Sequence, residues 1–199
     1  MVARVLVVAL ACLSLFFLAV SPQQRLPERV LQVTVCELVK DPARYDHALV
    51  QVSGDLLHGF EAFQIYPDHC PEAPDSMGVW LEYGGTSQSG TMYCCGVIAD
   101  GERSEPLVVE GVRTYLKVDA AFQRFDAQIG GKDLTRVNAT LIGRFFSGRQ
   151  LRYPKGKGVF WGGYGHMGAY SLLVIQQVLS SVAKFPAIPE PPPPPNQGS

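Results

Sequence analysis

Residues 34–57 of the chain read TVCELVKDPARYDHALVQVSGDLL, and this stretch decides the fold. Thr34 and Glu37 have the spacing of a capping box, in which each side chain accepts a hydrogen bond from the other residue's backbone N–H. A helix that begins after Thr34 should end before Pro42, because proline lacks an N–H and disfavours helical geometry at the residue before it. We therefore expect one short capped helix, followed by a single further turn through Tyr45.

The second half of the stretch predicts a strand. After a polar turn at residues 46–47, Leu49, Val52 and Leu56 give the partly alternating apolar pattern of a strand. Gly54 lies inside this strand, where glycine marks a bulge or a barrel corner.

The rest of the chain continues in short elements. Asp119 can cap a helix with one apolar face, and the glycine pair at 130–131 would end it in a left-handed conformation. A glycine-rich and basic loop is expected at 147–168. Residues 170–182 predict a final buried strand, with a helix as the alternative. The other expected strands are 30–35, 48–57, 59–66, 78–83, 92–98, 134–146 and 106–118, the last being one strand broken at Gly111 or two strands joined there.

Short strands with glycine-marked bends predict a mainly β, β-rich α+β protein. We expect a small, partly open barrel of the OB type, with a short N-terminal helix and one mid-chain helix. A mixed α+β sandwich is the alternative.

The two ends of the chain differ in composition from its centre. Residues 1–21 carry an apolar run, somewhat shorter than the roughly 20 residues that span a bilayer, which favours a signal peptide over an anchor formed by residues 4–20. We expect a linker at residues 22–29 and a single β-rich domain at residues 30–184. Residues 185–199 include five consecutive prolines, which predict a disordered, extended tail. The protein is thus expected to be exported, periplasmic or extracellular, touching a membrane only through an uncleaved N-terminal segment.

The charge balance argues against polyanionic partners. Seventeen basic and eighteen acidic residues give a net charge near zero, so nucleic-acid binding is not expected.

Four cysteines lie outside the N-terminal segment: Cys36, Cys70, Cys94 and Cys95. In an oxidising compartment an even number indicates disulfides, and four cysteines allow three complete pairings. We prefer a Cys36–Cys70 bond. The remaining pair could form a vicinal disulfide, bond to separate partners or stay reduced.

An alternative interpretation is a metal or thiol-redox site. His69, Cys94, Cys95 and His166 offer ligands suited to zinc or copper. The sequence has no C-x-x-C pair, and these ligands would have to converge from separate segments, so our first expectation is no cofactor.

No segment carries a catalytic signature. There is neither a G-x-S-x-G elbow nor a phosphate-binding loop. The carboxylates Glu61, Asp68, Glu82 and Glu110 have no spacing that distinguishes them from solvated side chains. The loop residues most suited to ligand contact are Tyr164, His166, Arg149 and Arg152.

Several motifs together resemble one group of proteins. VCELVKDPARYDHALVQVSGDLL, FEAF, WLEYG, GRFF and GYGHMG…SLLVIQQV are similar to segments of uncharacterised exported bacterial proteins with an OB-like barrel. The resemblance covers most of residues 30–182 and implies a fold but no activity. We therefore expect a non-enzymatic exported module that binds an unknown protein or small ligand or has a structural role; the alternative is the metal or thiol protein described above.

Overall fold

The computed structural model describes residues 28–59, 61–71, 78–91, 103–130, 134–152 and 159–184, with the backbone alone for 149–152 and 159–162. The predicted signal segment and the proline-rich tail lie outside these residues. Within them, no helix is long and apolar enough to span a membrane. The described helices and strands are α1 Val35–Lys40, α2 Ala120–Ile129, β1 Leu31–Gln32, β2 Leu49–Gly59, β3 Ala62–Tyr66, β4 Val79–Tyr83, β5 Val108–Val109, β6 Val112–Arg113, β7 Thr135–Phe146, β8 Arg149–Arg152, β9 Val159–Gly162 and β10 Leu172–Ala183.

Helix α1 forms as the sequence predicts. The Thr34 hydroxyl accepts from the N–H of Glu37 at 3.1 Å, and the Glu37 carboxylate accepts from the N–H of Thr34 at 2.7 Å. Both halves of the capping box are therefore present. The helix ends at Lys40, and Pro42–Tyr45 follows as a single 3-10 turn.

Strand β2 pairs with three other strands. It is parallel to β1 and antiparallel to β3 and β7, and its Val50, Val52 and Leu56 side chains are buried. Gly54 makes no bulge, since the register with β7 passes through it without a shift. A Cβ there would lie 2.6 Å from the carbonyl oxygen of Tyr66. Glycine is needed because the backbone at the last residue of β3 approaches so closely.

The pairing of β2 with both β3 and β7 closes a ring of five strands. Their order is β2-β3-β4-β10-β7, within a six-stranded mixed sheet to which β1 adds the sixth strand. Strands β4 and β10 are parallel, and the other neighbours in the ring are antiparallel. Five strands is also the number of an OB-type barrel. The predicted fold class is confirmed: the protein is mainly β, with one short N-terminal helix and one mid-chain helix.

Helix α2 packs its predicted apolar face against the ring. The Asp119 carboxylate caps the helix by accepting from the N–H groups of Ala121 and Phe122 at 3.0 and 3.1 Å. Phe122, Phe125 and Ile129 are all buried. The left-handed conformation predicted for the terminal glycine pair is wrong at Gly130, which has a φ of −69°, while Gly131 lies outside the described residues.

Two small hairpins lie outside the six-stranded sheet: β5–β6 before α2, and β8–β9 after β7. Strands β5 and β6 pair around a turn at Glu110-Gly111, which confirms the two-strand alternative for 106–118. The expected loop at 147–168 is wrong in part, because β8 and β9 pair within it.

Strand β10 confirms the final buried strand, and its pairing with β7 and β4 excludes the helical alternative.

The predicted Cys36–Cys70 disulfide is present, with a Cα–Cα distance of 5.4 Å. It joins α1 to the segment that follows β3. A disulfide in a small domain is typical of an oxidising, extracytoplasmic setting. Cys94 and Cys95 lie outside the described residues.

Candidate functional site

Residues 163–170 form a closed loop, which we call the 163–170 loop. Tyr164 and Tyr170 exchange two backbone hydrogen bonds of 2.8 and 3.1 Å at its base. The N–H of Gly163 also donates to the carbonyl of Gly168 at 2.9 Å. These hydrogen bonds hold the two ends of the loop together and so restrict the residues between them.

Trp80 of β4 supports the loop. Successive strand residues alternate, so the Trp80 side chain projects from the face opposite to that of Tyr83, which packs against α2. The Tyr170 ring lies 5.8 Å from the Trp80 ring. A Cβ at Gly165 would lie 2.2 Å from the indole, so only glycine fits where the loop crosses this side chain.

The tip of the loop presents an apolar side chain on an unusual backbone. Met167 is 72% exposed and has a φ of 56°, a left-handed conformation that is uncommon for a residue other than glycine or asparagine. Beside it, Nδ1 of the half-exposed His166 lies 3.8 Å from Oε2 of Glu61. Glu61 belongs to the turn between β2 and β3. We call Met167, His166 and Glu61 the loop rim.

The base of the same loop contacts a second group of polar side chains. The Tyr164 hydroxyl donates to Oε1 of Glu110 at 2.5 Å. Oε2 of Glu110 lies 2.7 Å from Nε2 of His47. Asp46 is next to His47, and we call Asp46, His47, Glu110 and Tyr164 the His47 cluster.

The His47 cluster is held by its surroundings. Oδ1 of Asp46 accepts from the N–H of Ser147 at 2.8 Å. The His47 ring packs edge-on against Phe146, with 5.3 Å between ring centroids. Hydrogen bonds from Tyr164 and then from His47 hold the pKa of the Glu110 carboxyl below its usual value. The Glu110 carboxylate is therefore ionised at neutral pH.

The residues singled out from the sequence have different positions. Tyr164 and His166 share one loop but contact different partners, Glu110 and Glu61. Arg149 and Arg152 begin and end β8, and their side chains lie outside the described residues. His69 is exposed next to the disulfide.

The predicted metal set of His69, Cys94, Cys95 and His166 is not tested, because both cysteines lie outside the described residues. Within the described part of the chain, one group of three histidine or carboxylate side chains comes within ligand distance, namely Asp46, His47 and Glu110. Sequence reasoning treated residues 46–47 as a plain polar turn and Glu110 as a solvated carboxylate. A usable signal was present: glutamate precedes glycine in a two-residue hairpin turn, where asparagine or aspartate is usual.

Two surface grooves of the described residues lie away from the 163–170 loop and the His47 cluster. One of about 570 Å³ is formed by residues 29–33 together with Glu37, Arg44 and Tyr45. Another of about 400 Å³ lies between Asp55 and Arg136. Neither is lined by the 163–170 loop or the His47 cluster. We assign the candidate site to the loop, because unusual backbone and exposed side chains coincide there.

His58 is a buried titratable group that sequence reasoning did not single out. Its Nε2–H donates to the carbonyl of Ser89 at 3.1 Å, and Oγ1 of Thr91 lies 3.2 Å from the same nitrogen. Burial lowers the pKa of the imidazole, and the bond to Ser89 only partly opposes this effect. The neutral ring is therefore the form that the fold favours.

Acid is expected to destabilise the protein through His58. In the unfolded chain the ring protonates below about pH 6.5, whereas the folded protein resists protonation. The contribution of the neutral ring to stability is therefore present above about pH 6.5 and is lost as the pH falls from there to the folded pKa. Urea unfolding measures the free energy of unfolding at pH 8 and at pH 5. Its decrease from pH 8 to pH 5 should be smaller for His58→Gln than for the wild type. An exposed control, His69→Gln, should follow the wild type; equal pH dependence in all three proteins would contradict the prediction.

Comparison of the chain with protein-family models, with curated proteins and with solved structures found no match. The resemblance to exported OB-like proteins therefore stays a prediction. The functional interpretation depends on the geometry of the loop and its neighbours.

Proposed function

We propose that the protein is a non-enzymatic binding module that holds a partner protein through the loop rim. The observation that carries this proposal is Met167, an exposed apolar side chain in a left-handed conformation at the tip of a loop with a fixed base. Such a conformation costs roughly 1–3 kcal/mol and persists only where the surrounding structure imposes it. Met167 therefore combines a strained backbone with an exposed apolar side chain. A partner protein that covers this side chain would explain both features.

The neighbours of Met167 suit the rim of a protein interface. His166 and Glu61 add polar groups beside the apolar tip, and both are partly exposed. Interfaces commonly have this arrangement, with an apolar centre and a polar edge. Since the loop is already closed by backbone hydrogen bonds, it would bind with little further loss of conformational entropy.

We place this module outside the cytoplasm. The Cys36–Cys70 disulfide supports an oxidising compartment. The apolar run in residues 1–21 supports export, as a cleaved signal or as a retained anchor. Periplasmic or extracellular binding of a protein is consistent with the near-zero net charge, which gives no long-range attraction for polyanions.

Site-specific photocrosslinking in the producing cells tests the proposal. A photoreactive phenylalanine analogue at position 167 should yield one discrete adduct. The same analogue at position 182 should yield none, because Val182 lies on β10 and not in the loop rim, although its exposure of 65% is close to that of Met167. With the purified adduct partner, Met167→Asn should lower affinity at least about tenfold, since asparagine tolerates the left-handed backbone and removes only the apolar contact.

Two outcomes would contradict the binding proposal. Equal adducts at positions 167 and 182, or none at either, would remove the loop rim as an interface. Turnover in a hydrolase or redox screen that His166→Ala abolishes would show that the loop serves catalysis instead.

A further inference from the structure

We propose that Asp46, His47 and Glu110 form a binding site for Zn²⁺, with one imidazole nitrogen and two carboxylate oxygens as ligands. The three residues come from two parts of the chain, the turn before β2 and the tip of the β5–β6 hairpin. Zinc accepts this donor set and commonly uses three protein ligands with water in the fourth position.

The distances suit a tetrahedral metal. One donor atom from each of the three residues lies within 4.8 Å of the other two. At metal–ligand distances of about 2.0–2.2 Å, the donors around zinc are about 3.4 Å apart. The His47–Glu110 separation of 2.7 Å is shorter because a proton bridges these two atoms. Opening this pair from 2.7 Å to about 3.4 Å takes about 0.7 Å, and the Asp46 donor, which lies within 4.8 Å of both atoms, moves in by up to about 1.4 Å.

Each carboxylate is oriented by one oxygen, and its other oxygen is available to a metal. The Ser147 N–H binds Oδ1 of Asp46, which leaves Oδ2 as a donor. The Tyr164 hydroxyl binds Oε1 of Glu110, which leaves Oε2 facing His47. This division is what outer hydrogen bonds do in metal sites: they fix the ligand's orientation without occupying the donor atom.

Both ligand-bearing turn positions have a left-handed backbone. His47 has a φ of 60° and Glu110 a φ of 49°. Histidine is among the residues enriched in this conformation, whereas glutamate is not. Asparagine or aspartate is usual before glycine in a two-residue hairpin turn. A bound cation would explain why a longer carboxylate occupies position 110.

A metal here would connect three segments of the fold. It would join the turn before β2 to the β5–β6 hairpin and, through Tyr164, to the base of the 163–170 loop. The inference does not depend on the loop rim being an interface. In this inference, the role of the His47 cluster is to hold the base of the 163–170 loop in place.

Zinc titration of the chelator-stripped full-length protein, with a chromophoric competitor, tests the site. We expect binding of one Zn²⁺ per chain. His47→Asn and Glu110→Asn should each lower affinity at least about 100-fold, and Tyr164→Phe about tenfold. Asparagine tolerates both left-handed positions. The metal-free variants should therefore unfold at the wild-type temperature or above.

Histidine controls and a cobalt spectrum separate this site from the cysteine-based alternative. His69→Asn and His166→Asn should bind zinc within about twofold of the wild type. The Co²⁺ form should show no thiolate-to-metal charge-transfer band, because its ligands are nitrogen and oxygen. Lack of stoichiometric binding, undiminished affinity in the His47 and Glu110 variants, or a thiolate band lost on replacing Cys94 and Cys95 would each overturn the proposal.

Discussion

Replacing Arg103 with methionine is expected to lower the free energy of unfolding by about 3–5 kcal/mol, the range for removing one partner of a buried ion pair. Nη2 of Arg103 lies 3.2 Å from Oε1 of Glu82, and the two side chains are only 18% and 4% exposed. Nη1 of Arg103 also donates to the carbonyls of Tyr83 and Ser87 at 3.0 and 2.5 Å. The substitution would leave the Glu82 carboxylate buried without this charge and two carbonyls without this donor. Urea unfolding at neutral pH measures the loss.

A matched control for this prediction exists on the surface. Arg113 pairs with Glu105 at 3.0 Å, but the two side chains are 67% and 78% exposed. Arg113→Met should therefore cost no more than about 1 kcal/mol. Adding Glu82→Leu to Arg103→Met should restore part of the stability, because an apolar pair needs no charge compensation. Similar losses in the Arg103 and Arg113 variants would show that burial does not determine the energy of the pair.

Removal of the Cys36–Cys70 disulfide is the second large effect. The bond closes a loop with a sequence separation of 34 residues. In the chain-entropy model a loop of this length is worth about 3–4 kcal/mol. A protein with both Cys36→Ser and Cys70→Ser should therefore lose that amount of unfolding free energy. Denaturant unfolding with and without a thiol reductant is the measurement.

The reductant provides the internal control for the disulfide. It should bring the wild type to the stability of the double variant and leave the variant unchanged. A loss below about 1 kcal/mol in the variant would contradict the prediction. Sensitivity to reductant that persists in the variant would instead report a bond that involves Cys94 or Cys95.

The elements that the sequence predicted well are those with local signals. The Thr34–Glu37 capping box, the Asp119 cap and the apolar face of α2 depend on residues three or four positions apart. Alternating side chains predicted β7, whose Val137 and Leu141 are buried. The left-handed angle expected at Gly130 and the bulge alternative at Gly54 are wrong, because backbone angles and approach distances depend on packing.

The candidate site was predicted only in part. Tyr164 and His166 were singled out as loop residues suited to ligand contact, and the structure places both in one closed loop. His47 and Glu110 were not, because they are 63 residues apart and neither belongs to a recognised ligand spacing. Nothing within a few residues of either position shows that the β5–β6 hairpin reaches the turn before β2.

By itself, then, the sequence determined the mainly β character, the capped N-terminal helix and the preferred disulfide. These follow from hydrogen bonds between near neighbours, from side-chain periodicity and from cysteine number, which are all properties of short segments. Tertiary structure alone decided the closure of the five-strand ring, the seating of the 163–170 loop on Trp80 and the meeting of Asp46, His47 and Glu110. The physical reason is that such contacts join distant residues through the packing of whole strands, and the pattern of any one segment does not specify which distant segment it will meet.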